Sequence, residues 1–261
     1  MPTDTNDPTD LDVEVARRFT GLRRFNLVVG LLHLAQAGVM LALSNDLAFP
    51  ITASLLTDDP VATRGLPAAE VVFELPIGPT VAFFLLLAAV DHLLMATPGI
   101  RDWYEANLRR GRNLARWVEY AISASVMLIL IATLAGIWSL AALIGLFAAN
   151  SAMILFGWLQ ETDHEPGGDM TPFWFGTVIG LIPWLAIGYY LVAAEAPPGF
   201  VYAIFVSLFV LFSSFGLNQW LQYRQVGPWR DYLYGERAYI VLSLVAKSLL
   251  AWQVFANVLR S

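Results

Sequence analysis

Cysteine is absent from the 261 residues, which excludes disulfides, thiolate catalysis and thiolate metal sites together. Charge is scarce as well. Only 14% of residues are charged and 57% are hydrophobic, against about 25% charged and roughly 45–50% apolar in soluble domains. An ordinary soluble globule is therefore excluded. Positive charge is scarcer than negative, for a formal net charge of -6, and no basic stripe interleaved with aromatics occurs. Nucleic acid is not an expected partner. The opening stretch Met1 to Glu14 lacks both a basic start and an apolar run before a cleavage site, so it reads as a mobile acidic tail rather than a signal peptide. Lysine is nearly missing too. Lys247 is the only one, every other basic residue being Arg.

What is present is long apolar runs. A hydrocarbon core of about 30 Å takes roughly 20 helical residues, so the chain holds about seven spans and no second sizeable domain. Phe25 to Asn45 forms the first span and Pro79 to Thr97 the second, which is interrupted by Asp91 and His92. Trp117 to Gln160 holds one charged residue, Glu119, over a length that only two helices can use, and it divides near Gly136. Thr171 to Ala194, Ala196 to Tyr223 and Ala238 to Leu259 complete the set, the last interrupted only by Lys247. The fold class is an all-α membrane protein, a seven-helix bundle.

Basic residues near span ends are retained on the cytoplasmic side. One set of flanks holds Arg17, Arg18, Arg23 and Arg24, then Arg101, Arg109, Arg110, Arg112 and Arg116, then Arg224, Arg230 and Arg237. The opposite set holds only Arg64 and Arg260. A multi-pass protein of the cell membrane is expected, with a cytoplasmic amino terminus, an extracellular carboxyl terminus, a tail over 1–24 and a membrane domain over 25–261. The long first loop, about Asn45 to Gly78, then lies outside. Its segment Ala68 to Leu75 (AAEVVFEL) is rich in β-formers, which leaves a short hairpin and an unstructured loop as equal alternatives.

Two kinds of residue are out of place in these runs. Lys247 falls some ten residues into its span, where an ammonium costs roughly 2.5–3.5 kcal/mol on insertion scales. One account is a structural lysine paired with a carboxylate or snorkelling outward. The other uses the chemistry that separates lysine from arginine, since a primary amine condenses with an aldehyde to a Schiff base. Either account needs an anion. Glu119 is the better candidate because its span and that of Lys247 begin at the same face; an ion pair with Arg116 is its alternative. The role of Asp91 stays open, since neighbouring His92 occupies a different helix face. Ser243, four residues before Lys247, and Ser123, four after Glu119, share those faces. His33 and His92 suggest a polar cluster in the same half, and zinc there would need further ligands from Glu119 or Asp91.

Specific segments go further. RWVEYAISASVM (Arg116 to Met127), NSAMILFGWLQE (Asn150 to Glu161), PFWFG (Pro172 to Gly176), PGFVY (Pro198 to Tyr202) and GERAYIVLSLVAKSLLAWQ (Gly235 to Gln253) resemble heliorhodopsin, the rhodopsin family with a cytoplasmic amino terminus. The likeness runs from about Phe25 to the end. It implies a retinal-binding domain over 25–261 and all-trans retinal held on Lys247 as a protonated Schiff base. It further implies Glu119 as counterion, Ser243 beside the lysine and His33 and His92 in the inner cavity. Met153, Trp184, Phe212 and Gln219 match pocket positions, and Ser123 joins the site as the neighbour of Glu119. No metal and no enzymatic activity are implied. The expected function is light sensing with regulatory output, in a homodimer with an unidentified signalling partner. The alternative is a light-driven pump or channel, against which the third span offers no second acid between Glu119 and Gly136.

Overall fold

The computed structural model describes residues 8–56 and 67–260, with side chains from residue 13 onward. Its elements are α1 (Pro8–Leu43), β1 (Ala48–Ser54), β2 (Ala69–Pro76), α2 (Ile77–Ala96), α3 (Ile100–Leu108), α4 (Leu114–Leu134), α5 (Leu140–Asp163), α6 (Thr171–Ala193), α7 (Gly199–Tyr223) and α8 (Tyr232–Val254). A π-helical turn, Phe255–Leu259, extends α8. Seven of these helices are long and apolar enough to cross a membrane, all except α3.

Local chemistry sets several boundaries. Asn113 caps α4, its side chain accepting from the Arg116 backbone N–H at 3.2 Å, and Asp231 caps α8 through the N–H of Leu233 at 3.1 Å. Asp169 accepts from the backbone and hydroxyl of Thr171 where α6 begins, and that hydroxyl above all holds its carboxyl below the usual range. The expected break near Gly136 is real: α4 stops at Leu134 and Gly136 adopts φ +95°, a left-handed conformation that favours glycine. The tail assigned to residues 1–24 is helical from Pro8 onward, so α1 runs unbroken from within it into the first span, nearly five turns ahead of Phe25. The run from Phe19 to Val29 explains this, because Phe19, Leu22 and Val29 recur at helical spacing and pack on Tyr104, Leu108 and Ile240. The remainder of the tail lies outside the described residues.

The first loop contains the hairpin. β1 pairs antiparallel with β2 from Ala48↔Pro76 to Ser54↔Ala69, with a bulge at Ile51/Thr52. It is fastened to the bundle by Thr52 N–H, which donates to the Trp138 carbonyl at 2.9 Å, and by buried Ile51. The bundle thus has a hairpin end and an arginine-rich end. Toward the hairpin end the interior is apolar, built on Val81, Phe84, Leu85, Leu128, Ile131 and Leu250. Buried polar side chains concentrate in the other half.

Candidate functional site

Lys247 lies on the buried face of α8, 3% exposed. Its Nζ donates to Glu119 Oε2 on α4 at 3.2 Å and to Ser243 Oγ one turn earlier at 2.8 Å. Both groups expected beside the lysine are therefore in contact with it. The Arg116 alternative for Glu119 does not form, since Arg116 bonds elsewhere.

The amine opens on a cavity of about 260 Å³ between α4, α5, α6, α7 and α8, with Met153, Trp184, Phe212 and Gln219 all on its wall. Trp184 follows Pro183, which removes a backbone donor inside α6, and its indole meets Phe205, Phe209 and Phe212 edge-on at 5.3–5.7 Å. Three glycines on the wall let its elements pack closely. A Cβ on Gly157 would come within 2.7 Å of the Trp117 ring, one on Gly176 within 3.1 Å of the Met153 carbonyl, and one on Gly180 would run into Met153 Sδ. Ser123 does not reach this wall; it is fully buried and its hydroxyl finds no partner among the described residues.

The histidines form a pair. His33 on α1 and His92 on α2 stack with ring centroids 5.9 Å apart and planes within 3°. His92 Nδ1 is 2.7 Å from Asn26 Oδ1, while both ring nitrogens of His33 and Glu119 Oε1 are buried without partners among the described residues. His92 is buried in the bundle, and its neighbour Asp91, half-buried on α2, lies within electrostatic reach of Glu119 and Lys247. Among the described residues no three His, Asp or Glu side chains are grouped as metal ligands.

One constellation escaped the sequence. Glu119 and Asp91 are not the only carboxylates within spans. Arg116 bonds Glu161 at the end of α5 through Nη2 at 2.5 Å and Glu236 near the start of α8 through Nη1, all three side chains at most 4% exposed. Glu161 also accepts from the Asn113 N–H, the Trp117 indole and the Tyr232 hydroxyl. Glu236 accepts from the Asn113 amide at 2.8 Å and the Tyr104 hydroxyl at 3.0 Å. Burial, then the Glu236 charge, pushes the Tyr104 phenol well above its ordinary range, so it stays a donor. The cluster clamps α3, α4, α5 and α8 together. In the sequence Glu161 reads as part of an acidic loop; the one signal was Glu236, four residues inside a helix start and flanked by apolar periodicity.

The sequence profile of the family Heliorhodopsin matches residues 22–259. The chain belongs to the heliorhodopsin family. Rhodopsins carry retinal, and with seven apolar helices the chain is a multi-pass membrane protein with a retinal chromophore. Solved structures share the fold at low identity. The transmembrane domain and linker region of a rhodopsin phosphodiesterase from Salpingoeca rosetta is similar with a TM-score of 0.66 and 16% identity, over 95% of this chain and 82% of that one. A light-driven proton pump from Leptosphaeria maculans gives 0.59 and 18%, over 90% and 95%. A thermophilic rhodopsin from Rubrobacter xylanophilus gives 0.55 and 17%, over 91% and 95%. No curated protein matches the chain. The residues present fit a heliorhodopsin chromophore: a primary amine with an adjacent carboxylate opens on an aromatic and aliphatic slot.

Proposed function

We propose that the chain is a light receptor in which Lys247 carries all-trans retinal as a protonated Schiff base, with Glu119 as counterion and with regulatory rather than transporting output. The observation that carries this reading is the sole lysine of the chain, buried, paired with Glu119 and opening on the cavity. Bound retinal supplies visible absorption and isomerisation toward 13-cis. Everything else falls to the protein. Glu119 holds the positive charge at Lys247 Nζ, and Ser243 fixes where that nitrogen sits. Met153, Trp184 and Phe212 shape the slot with apolar surface, and Gln219 adds a polar group to its wall. His33, stacked on His92 with no hydrogen-bond partner among the described residues, offers a place for a proton leaving the nitrogen.

Signalling is favoured over pumping by the packing around the lysine. Toward the hairpin end Phe84, Leu85, Leu128, Ile131 and Leu250 are 0% exposed and apolar, and the polar groups buried among them, such as Ser125, Thr133 and Asn150, are uncharged, so among the described residues an ion meets no buried acid, histidine, lysine or arginine there. In this proposal residues 25–261 form the retinal-binding domain, residues 1–24 and the arginine-rich end face the cytoplasm, and the carboxyl terminus faces outward. A homodimer in the cell membrane acts on a downstream partner and performs no enzymatic reaction. The test is expression with all-trans retinal. Visible colour is expected in the parent and none in Lys247→Arg; a normally coloured Lys247→Arg protein overturns the assignment.

A further inference from the structure

We infer that Tyr120 is a third partner of the Lys247 nitrogen, holding its positive charge with the face of the phenol ring. For the pigment this rests on Lys247 being the retinal lysine; for the free amine it stands alone. An ammonium has three N–H donors. Two are directed at Glu119 Oε2 and Ser243 Oγ, and Nζ lies 4.9 Å from the centroid of the Tyr120 ring, inside the roughly 6 Å over which a cation is drawn to a ring face. Glu119 and Tyr120 are consecutive on α4, so the nitrogen sits between two adjoining side chains of one helix.

The ring is fixed in that position. Its hydroxyl donates to the Tyr239 carbonyl at 3.1 Å, and Phe215 packs edge-to-face at 5.4 Å. Both Tyr120 and Lys247 are buried, and this attraction strengthens as water is removed. A linkage at Nζ consumes donors, so hydrogen bonding to Glu119 and Ser243 has to share what is left. The attraction between charge and ring face needs no N–H and survives. The other titratable groups acting on Lys247 are Glu119 from α4, His33 from α1, and Asp91 and His92 from α2. The cavity walls from α5, α6 and α7 add no acid, histidine, lysine or arginine.

Because the chain has a single lysine, nitrogen-15 lysine labelling yields one side-chain signal, readable by NMR without retinal; visible absorbance reports the same nitrogen with it. Tyr120→Phe keeps the ring and is expected to titrate like the parent. Tyr120→Leu is expected to lose the charge at a pH lower by about one unit or more in both measurements. Pentafluorophenylalanine at position 120 preserves the shape and inverts the ring's charge distribution, so it should follow the leucine variant even if the latter folds poorly. The inference is overturned if the leucine and fluorinated variants titrate like the parent. A parent that binds no retinal would instead sink the chromophore reading, leaving the labelled amine to decide the role of Tyr120.

Discussion

Glu119 carries the heaviest duty of any single residue, because its charge must stay beside Lys247 although both side chains are buried. Opposite charges within about 4–6 Å favour one another's ionised forms, and these two lie 3.2 Å apart. Glu119→Gln removes the negative end. With retinal bound, the positive charge should spread along the polyene, so absorption is expected to move to the red at neutral pH, or much of the coloured form to be lost. Acid should redden the parent and leave Glu119→Gln nearly unchanged. A spectrophotometric titration of both proteins, with Asp91→Asn as control, decides the matter. If Glu119→Gln behaves like the parent while Asp91→Asn is altered, the counterion lies on α2.

At the scale of elements, the arginine-rich end depends on Arg116. Removing one partner from a buried ionic cluster leaves uncompensated charge, at a cost of about 3–5 kcal/mol. Arg116→Leu strands Glu161 and Glu236 on different helices, so thermal unfolding followed by helical signal should shift strongly downward. Arg116→Gln combined with Glu161→Gln and Glu236→Gln should be milder, since no charge is then stranded. The cavity side depends on how closely α5 and α6 approach. Gly180→Ala has to displace Met153, so retinal uptake, measured as absorbance after addition, should fall. Adding Met153→Ala to that variant should restore much of it. Uptake unaffected by Gly180→Ala would place the ligand away from that wall.

For the whole molecule, the distribution of Arg sets orientation. Structure alters the count slightly, because Arg116 is a buried cluster member rather than a flank residue. Arg17, Arg18, Arg23, Arg24, Arg101, Arg109, Arg110, Arg112, Arg224, Arg230 and Arg237 still stand at one end, against Arg260; Arg64 lies outside the described residues. An amino-terminal tag should therefore resist protease in intact cells and a carboxyl-terminal tag should be cleaved. The reverse pattern would put the hairpin inside and reject the proposed topology.

Hydropathy is a local property, which is why the seven spans, the break at Gly136 and the misplaced charges of Lys247 and Glu119 could all be read in one dimension. The same holds for the pairing of Ser243 with Lys247, one helical turn apart on one chain segment. The β-formers around Val71 to Phe73 suggested a hairpin without deciding it, because strand pairing needs the partner at Ala48–Ser54 and the anchor at Trp138, both distant in sequence. Tertiary structure alone decided the rest. Arg116, Glu161 and Glu236 each sit near a helix end, where charged residues are ordinary, and only packing of α4, α5 and α8 turns them into a buried cluster. Tyr120 reads as one more apolar span residue until the crossing of α4 and α8 brings its ring beneath the lysine, and Ser123 leaves the cavity for the same reason: helical spacing sets the face a side chain shares, while the neighbouring helices set what that face meets.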